Sequence, residues 1–414
     1  MLSPPDASDV TTPPSVNPQP KLTPSSARNA HVAVVGAGAF GGWTALHLRR
    51  MGARVTLLDA WGPGNSRSSS GGESRVIRGL YGRDRIYSLW VKRAFELWQE
   101  SQDSWKTPLY RRTGMLWMVG ENDAYLRESL PIVKELGFRV DQLERSDAER
   151  RFPQVNFEDV ESQYFEHEAG YLKARQACRK VCEQFEREGG EFQRVAAKPS
   201  AIGSKPLRQL DLADGGHLSA DQYVFACGPW IGGLFPDLIG RSIRPTRQEV
   251  YYFGAPFGDR SFEPGTLPVW GDFGERMFYG FPDIDQRGVK IADDTRGPDF
   301  DPTDGDRAPS QDSLERAREF LGRRFPALRA APLLEARVCQ YENSPDGHLI
   351  VDRHPEAENV WLVGGGSGHG FKLGPALGEH AAQCVLEMAT PEPMFSIKRL
   401  AELKTRSTQF GHKE

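Results

Sequence analysis

Three glycines near the start of the chain have the spacing of a dinucleotide-binding turn. Gly36, Gly38 and Gly41 form G-x-G-x-x-G directly after an apolar stretch and at the start of a predicted helix. In such a turn the first glycine permits the tight bend, the second lets the backbone approach a pyrophosphate, and the third lets helix and strand pack closely. Asp59 follows the next apolar stretch, 54–58, where its carboxylate can accept hydrogen bonds from a ribose. Together these features favour dinucleotide binding over a purely structural glycine turn.

A second glycine-rich segment, GGGSGHG at 364–370, lies near the other end of the chain and precedes a helix predicted to begin near Leu373. Enzymes that bind a nicotinamide dinucleotide usually complete both mononucleotide halves consecutively, so this separation favours FAD over NAD. A helix N-terminus at the cofactor stabilises negative charge on the N1–C2=O side of a reduced flavin. The alternative is a flexible connection, which fits poorly with a lysine at the helix entrance, because its charge opposes the helix dipole and requires an anion nearby. The predicted cofactor-binding residues of this segment are Gly366, Gly368, His369, Gly370 and Lys372.

Four other side chains each permit a functional and a structural interpretation. Arg75 and Arg78 lie in a Gly/Ser-rich segment, and a spacing of three puts both on one face of a helical turn. They are either substrate-binding guanidinium groups or solvated arginines. Lys290 stands between two β-branched residues, so on a strand it faces away from them, which is typical of a solvent face. Cys339, taken alone, is typical of core packing.

Metal and hydrolytic chemistry find no support in the sequence. Cys178 and Cys182 share a helix face at i, i+4, but no further ligand completes a metal site, so both are assigned to the core and no metal is expected. The chain contains no G-x-S-x-G, H-E-x-x-H or P-loop motif. Hydrolase and nucleoside-triphosphatase functions are therefore excluded as interpretations.

The elements that must position these residues follow from hydrophobic periodicity. Residues 31–60 predict strand, glycine turn, helix and strand, which is a βαβ unit. The segment 244–294 alternates aromatic and β-branched residues between turn residues and predicts an antiparallel sheet. Helices are predicted at 86–102, 174–188 and 311–321, and a βα pattern returns at 359–389. This alternation predicts two interleaved domains built from discontinuous segments.

Composition limits the classes of partner and location. The 414 residues suffice for two or three folding units, and the proline-rich first thirty residues predict a disordered tail without an export signal. Lys and Arg number 52 against 56 Asp and Glu, a net charge of −4, which gives no basis for nucleic-acid binding. No long apolar run predicts a membrane span. Five scattered cysteines favour a reducing compartment, so we expect a cytoplasmic monomer whose partners are small molecules.

Several segments together resemble the flavin-dependent amine oxidases of the D-amino-acid-oxidase superfamily, in particular the sarcosine oxidase and N-methyltryptophan oxidase branch. These segments are VVGAGAFGG, SGGESRVIRGLYG, ADQYVFACGPW, FYGFPDIDQRGVKI and, as the most specific, VCQYENSPDGHLIVDRHPEAENVWLVGGGSGHGFKLGPALGE. The resemblance covers nearly all of residues 31–400. It implies an α/β fold in which an FAD-binding Rossmann-like domain is interleaved with an α+β substrate domain containing a large antiparallel sheet. The expected boundaries are 31–108, 164–241 and 339–390 for the FAD-binding domain, 109–163 and 242–338 for the substrate domain, and 391–414 for a C-terminal segment.

The resemblance also implies roles for individual residues. Cys339 would form an 8α-thioether to FAD, and Lys290 would stabilise negative charge as oxygen is reduced beside the flavin. Arg78 and Lys372 would bind the substrate carboxylate, while Arg75 would lie near the flavin. Further implied residues are Ser70 in the cofactor site and Tyr279 and Tyr341 in the substrate pocket.

Three positions depart from the pattern of sarcosine oxidases. Gly71 and Asp294 stand where those enzymes have histidines, and Trp270 replaces a smaller pocket residue. Asp294 and Trp270 are expected in the substrate pocket, where the acid would meet a second ammonium or a ring N–H, although a surface aspartate is the alternative. The expected function is FAD-dependent oxidation of a secondary or cyclic amino acid to an imine, with oxygen reduced to hydrogen peroxide. The alternatives are a flavin-dependent dehydrogenase with another electron acceptor and a flavin-binding protein without catalysis.

Overall fold

A computed structural model describes residues 30–198, 206–274 and 276–402 of the chain, with side chains as far as Leu400. The tail predicted at 1–30 lies outside the described residues apart from Ala30, and so does the last part of the C-terminal segment.

The strands contribute to four sheets. In chain order they are β1 (His31–Val35), β2 (Arg54–Leu58), β3 (Ser74–Ile77), β4 (Tyr110–Arg112), β5 (Met115–Val119), β6 (Val140–Leu143), β7 (Ser162–Glu166), β8 (Gly170–Lys173), β9 (Glu191–Gln193), β10 (Leu210–Asp211), β11 (His217–Leu218), β12 (Gln222–Phe225), β13 (Arg244–Phe253), β14 (Val269–Phe273), β15 (Met277–Phe281), β16 (Val289–Asp293), β17 (Leu333–Asn343), β18 (Ile350–Arg353) and β19 (Val360–Gly364).

The helices cover the sheets and close the loops. In chain order they are α1 (Ala39–Arg50), α2 (Arg85–Trp105), α3 (Ala124–Glu135), α4 (Arg145–Arg151), α5 (Ala174–Arg187), α6 (Ile231–Leu234), α7 (Gln311–Arg324) and α8 (Gly374–Val385).

A six-stranded sheet aligns four loops from distant parts of the sequence at one edge. Its order is β18-β19-β12-β1-β2-β9, and all neighbours run parallel except β18 and β19. The carboxyl ends of β1, β2, β12 and β19 therefore meet at one edge, with Val35 in register with both Leu58 and Phe225. Ligands of open α/β sheets bind at this edge, so four loops from distant parts of the sequence converge there.

Two helices that follow glycine-rich loops pack against each other. A Cβ atom at Gly378 of α8 would lie 2.7 Å from the Cβ of Trp43 in α1, so the glycine allows the helices to approach closely. Trp43 also contacts Trp98 of α2, edge to face, at 5.2 Å between ring centroids. This packing holds the N-termini of α1 and α8 beside the same edge of the six-stranded sheet.

An eight-stranded sheet forms the second large layer. Its order is β17-β13-β16-β15-β14-β5-β7-β6, and it is antiparallel apart from the parallel pair β14 and β5. Helix α7 covers one face, where Phe320 stacks on Trp270 and on Phe278. A smaller antiparallel sheet has the strand order β3-β8-β4, and Arg75 lies on its strand β3.

The predicted fold class, α/β with a large and mostly antiparallel sheet, is confirmed. The helices predicted at 86–102, 174–188 and 311–321 are confirmed within a few residues at their ends. The helical turn predicted for Arg75 and Arg78 is wrong, because β-branched Val76 and Ile77 place this segment in β3, where Arg75 pairs with Leu172. The domain boundaries stay a prediction. Strands β7 and β17 are continuous in the eight-stranded sheet, although the boundaries at 164 and 339 divide them.

Candidate active site

The first glycine turn forms one wall of a cavity of about 410 Å³. Gly36 has φ +105° and its N–H donates to Leu58 O at 2.7 Å, so the chain bends sharply where β1 ends. A Cβ atom at Gly41 would overlap Gly36 O, whereas one at Gly38 would meet only Ser70 Oγ at 3.4 Å. The first and third glycines are therefore required for packing, and the second leaves the backbone open towards the cavity.

Asp59 and Ser70 also line this cavity, and both brace the turn. Asp59 Oδ2 accepts the N–H of Ala37 at 2.8 Å, and its Oδ1 accepts the N–H groups of Trp61 and Gly62 at 2.9 and 2.7 Å. Ser70 Oγ accepts the N–H of Ala39 at 3.2 Å. The carboxylate predicted to meet a ribose is thus also a structural acceptor that ties β2 to the glycine turn.

The last glycine-rich loop forms the opposite wall. Gly368 has φ +83°, and a Cβ atom there would lie 2.7 Å from the ring of Tyr341. Gly370 packs equally closely against Phe40 of α1, and Gly366 lies in ordinary contact with the same ring. Only glycine permits this close approach of the loop to β17 and α1.

These walls fit the diphosphate and the sugar chains of FAD. The cavity volume lies within the range typical of cofactor sites, and the cavity extends from Asp59 past the N-terminus of α1 to the loop before α8. A helix N-terminus supplies N–H groups and partial positive charge to a phosphate. Because the Cβ positions of the loop glycines are either filled by protein or open to the cavity, larger side chains would block this cradle.

A second, much smaller cavity of about 40 Å³ adjoins the first. Arg75, Gly368 and Phe371 line both, so the two cavities meet between Arg75 and the end of the last glycine-rich loop. The residues around the smaller cavity are Arg75, Val76, Arg78, Met115, Met277, Tyr279, Asp294, Gly368, His369, Phe371 and Lys372.

Arg78 and Lys372 are the deeply buried cations of this smaller cavity, at 3% and 4% exposure. The solvated-arginine interpretation is therefore wrong for Arg78, whose guanidinium lies 4.5 Å from the ring centroid of Tyr81 and donates to Tyr125 Oη at 3.3 Å. Lys372 Nζ donates to Tyr81 Oη at 3.0 Å and to His369 O at 2.8 Å. Burial, reinforced by the charge of Arg78, lowers the pKa of Lys372 well below its usual value. An anion in this cavity would reverse both effects.

Asp294 and two tyrosines form a polar chain on the other side of the cavity. Tyr341 Oη donates to Asp294 Oδ1 at 2.8 Å, and the hydroxyls of Tyr341 and Tyr279 lie 3.4 Å apart. Asp294 is 3% exposed, so the alternative of a surface aspartate is wrong. Burial raises the pKa of Tyr341 well above its usual value, and the charge of Asp294 raises it further. The tyrosines therefore stay protonated, and the carboxylate is the negative group of this wall.

Lys290 and Cys339 of the eight-stranded sheet lie close to Arg75 of the three-stranded sheet. Lys290 is 3% exposed, so the solvent-face interpretation is wrong. Its Nζ donates to Ser74 O at 3.1 Å and lies 4.5 Å from the ring centroid of Phe281. Burial, reinforced by the charge of Arg75, lowers the pKa of Lys290 well below its usual value. Arg75 Nη2 lies 3.6 Å from Cys339 Sγ, which is half-buried rather than part of the core.

The prediction that Trp270 lies in the substrate pocket is wrong, because Trp270 lines neither the larger nor the smaller cavity. Its ring is fully buried against Phe320 and Phe325 on the α7 face of the eight-stranded sheet. Successive residues of a strand face opposite sides, and the next residue of β14, Gly271, faces Met115 and Met277, which line the smaller cavity. An offset of one residue thus removes Trp270 from the pocket.

His369 lines the smaller cavity and not the larger one. Its Nε2 lies 2.8 Å from Gly347 O, which indicates that this nitrogen is protonated. Burial, with the charge of Lys372, lowers its pKa well below the usual value, so the ring is neutral.

Sequence reasoning missed several polar or aromatic residues in these walls. Trp61 and Trp230 line the larger cavity with their ring centroids 5.0 Å apart, and Glu342 lines it at the end of β17. Glu166 lies near Arg78, and burial raises the pKa of Glu166 to about 7. Glu342 has no local signal, because strand alternation would turn it away from Tyr341, although both residues line the larger cavity. Glu166 has none, since only the pairing of β7 with β5 brings it near Arg78.

Two further features were sought among the described residues, a cluster of metal-ligating side chains and a membrane-spanning helix. In the described part of the chain no three His, Cys, Asp or Glu side chains cluster in a way that could hold a metal ion. Cys178 and Cys182 are buried in α5, as predicted. No described helix is both long and apolar enough to cross a membrane.

Known proteins share this sequence pattern over most of its length. The model of the DAO family, described as FAD dependent oxidoreductase, matches residues 31–384. A monomeric sarcosine oxidase from Streptomyces avermitilis is 31% identical over 381 residues, which cover 89% of this chain and 97% of that protein. An N-methyl-L-tryptophan oxidase from Salmonella heidelberg is 28% identical over 362 residues, covering 85% and 94% of the two chains.

Solved structures share the fold. An L-proline dehydrogenase from P. horikoshii superposes with a TM-score of 0.78 at 19% identity, covering 92% of this chain and 100% of that one. A fructosamine oxidase (Amadoriase II) from Aspergillus fumigatus superposes with a TM-score of 0.72 at 23% identity, covering 89% and 90%.

Proposed function

The chain belongs to the FAD-dependent oxidoreductase family, and from this premise we propose that it oxidises a secondary or cyclic amino acid to an imine, with oxygen reduced to hydrogen peroxide. The similarity to a sarcosine oxidase and an N-methyltryptophan oxidase supports an N-substituted amino acid as substrate. The observation that carries the proposal is the smaller cavity, where two buried cations face a buried carboxylate beside the cofactor cavity.

Arg78 and Lys372 bind the substrate carboxylate in this proposal. Both are buried, and burial has lowered the pKa of Lys372, so a carboxylate between them restores the charged lysine. Charge-assisted hydrogen bonds from a guanidinium are directional, which orients the amino acid as well as holding it. The carbon that loses hydrogen is thereby held at the junction of the two cavities.

Asp294 and Tyr341 face the amine end of the substrate. The carboxylate, held by the hydroxyl of Tyr341 at 2.8 Å, favours a substrate that presents a second ammonium or a ring N–H. The reacting amine binds neutral, because a lone pair on nitrogen is needed as the C–H bond is oxidised. The imine then hydrolyses in water.

When bound, FAD supplies the two-electron oxidation and passes the electrons to oxygen. Lys290, whose Nζ donates to the carbonyl oxygen of Ser74 next to Arg75 of the cofactor cavity, would act in this second step. Negative charge developing on oxygen favours the protonated form of this buried lysine, which stabilises that charge in return. Arg75 keeps a second positive charge nearby, 3.6 Å from Cys339 Sγ.

The cofactor would be held by the glycine turn at 36–41, Asp59, Ser70 and the loop at 364–370. We also propose a thioether between Cys339 Sγ and the flavin 8α carbon, in which the thiol and the methyl group each lose one hydrogen to oxygen. After acid precipitation the yellow colour should remain with the protein. Colour released wholly into the supernatant contradicts the covalent bond, and Cys339→Ala is the matched control that should release it.

A screen of N-methyl, cyclic and D-amino acids under anaerobic conditions tests the reaction. At least one of them should bleach the yellow flavin, and the same compound should then drive oxygen uptake with equivalent peroxide. Bleaching with rapid dye reduction and negligible peroxide would identify a dehydrogenase instead. If no amino acid bleaches the flavin, the protein binds FAD without this catalysis.

A further inference from the structure

Glu342 is a buried carboxyl group in the wall of the cofactor cavity. It follows Tyr341 on β17 and is 5% exposed. Its Oε1 accepts the N–H of Gly365 at 2.7 Å, and its Oε2 lies 3.8 Å from the position that a Cβ atom would take at Gly228. The carboxyl group therefore lies between the turn after β12 and the loop before α8, where both loops line the cavity.

No arginine or lysine pairs with this carboxyl group among the described residues. Burial raises the pKa of Glu342 to about 7, and the N–H groups of Gly365 and Gly366 offset only part of this effect. A buried carboxylate without a cation is already costly. A cofactor with two phosphates in the same cavity makes the ionised form still less favourable, because like charges repel.

We propose that Glu342 is protonated when FAD is bound and donates a hydrogen bond to the cofactor, so that FAD binding takes up one proton. The carbonyl oxygen of the carboxyl group keeps the bond from Gly365, while the hydroxyl faces the cavity. A group that would repel the diphosphate as an anion is then a neutral donor. This inference does not depend on which substrate is oxidised.

The charged and titratable groups that face Glu342 from neighbouring elements are consistent with a protonated Glu342. Asp59 at the end of β2 adds negative charge to the same cavity. Burial raises the pKa of Cys227 on the turn after β12, so its thiol stays neutral. The register partner on β13 is the uncharged Pro245. Arg75 is the cation of this cavity, but it binds Ser69 O and approaches Cys339 Sγ.

The test compares the affinity for FAD of a protein that keeps Glu342 with that of the Glu342→Gln variant, whose side chain is a neutral isostere. Both proteins contain Cys339→Ala, so that binding is reversible and no thioether forms. With Glu342, Kd for FAD should rise up to tenfold per pH unit between about pH 7 and about pH 8.5, because the free protein must first regain its proton. In the Glu342→Gln protein Kd should change less than about twofold over the same range, since Gln keeps an acceptor for Gly365 and always offers a donor.

Proton uptake gives a second readout that needs no altered Glu342. In weakly buffered solution at about pH 8, binding of FAD to the Cys339→Ala protein should take up close to one proton per FAD from the solution. Uptake near zero, or the same pH dependence of Kd in both proteins, would overturn the proposal, because the protonation state of Glu342 would then be the same with and without FAD. Since neither readout uses turnover, failure of amine oxidation leaves this test unaffected.

Discussion

The two adjoining cavities handle negative charge in different ways. The larger cavity would accept the diphosphate of FAD, yet the acidic and basic side chains that line it in the described part of the chain are Asp59, Glu342 and Arg75. Its positive potential comes from backbone N–H groups at the starts of helices. The smaller cavity, which Arg75 also lines, adds Arg78 and Lys372 as buried side-chain cations opposite Asp294. The difference indicates that the larger cavity depends on backbone geometry, and the smaller cavity, our proposed substrate site, on which charges the fold buries.

The largest expected effect is on the backbone-dependent site. Gly41→Ala would drive a Cβ atom into Gly36 O, so the turn must open. We expect loss of bound flavin and a decrease of about 3 kcal/mol in the free energy of unfolding. Flavin absorbance per mole of purified protein and thermal unfolding measure both.

Gly42→Ala is the matched control in the same helix. Its added Cβ would meet Val181 Cγ1 at 3.4 Å, which is close to an ordinary contact. This variant should keep its flavin. Equal flavin content in the two variants would show that the turn geometry is not what holds the cofactor.

The next effect concerns a side-chain cation of the smaller cavity. Arg78→Gln should lower kcat/KM for the amino acid substrate about a hundredfold, which corresponds to about 2.7 kcal/mol of lost binding, with flavin content unchanged. Arg78→Lys should recover little, because a lysine lacks the two-pronged guanidinium. Arg85→Gln, which removes an exposed ion pair with Glu135, serves as the control.

An amide of the same substrate sharpens this test. It has no carboxylate, so wild type and Arg78→Gln should oxidise it at similar, low kcat/KM. A hundredfold difference that persists with the amide would mean that Arg78 acts on structure and not on the carboxylate.

The smallest effect is expected outside both cavities. Trp270→Phe should change KM less than about twofold and cost about 1 kcal/mol of stability, because the ring packs on the α7 face and its Nε1 has no described hydrogen-bond partner. Steady-state kinetics with two substrates of different size provide the measurement. A change in the ratio of the two KM values would show that Trp270 lines the substrate pocket.

Much of the cofactor site could be predicted because its signals are local. The G-x-G-x-x-G spacing requires only the strand before it and the helix after it, and both lie within twenty residues of Gly36. The helices α2, α5 and α7 follow from periodicity in the same way. The local signal was misleading at Arg75. Its spacing from Arg78 fits a helical turn, but pairing with β8 makes the segment a strand.

The substrate site could not be derived from spacing alone. Lys290 and Asp294 have the pattern of exposed residues, and only the burial of their strands by other sheets turns them inward. Trp270 failed for a related reason, since a strand has two faces and the sequence does not say which one meets the cofactor. Glu166 near Arg78 required the pairing of β7, which no local pattern predicts.

The sequence by itself therefore determined the glycine turns, the cofactor class and several of the helices and strands, because each rests on contacts between residues close along the chain. Tertiary structure decided which charges are buried together. Arg78, Lys372, Asp294 and Glu342 come from separate segments, and they become buried close to one another only once the sheets have packed and removed water from between them.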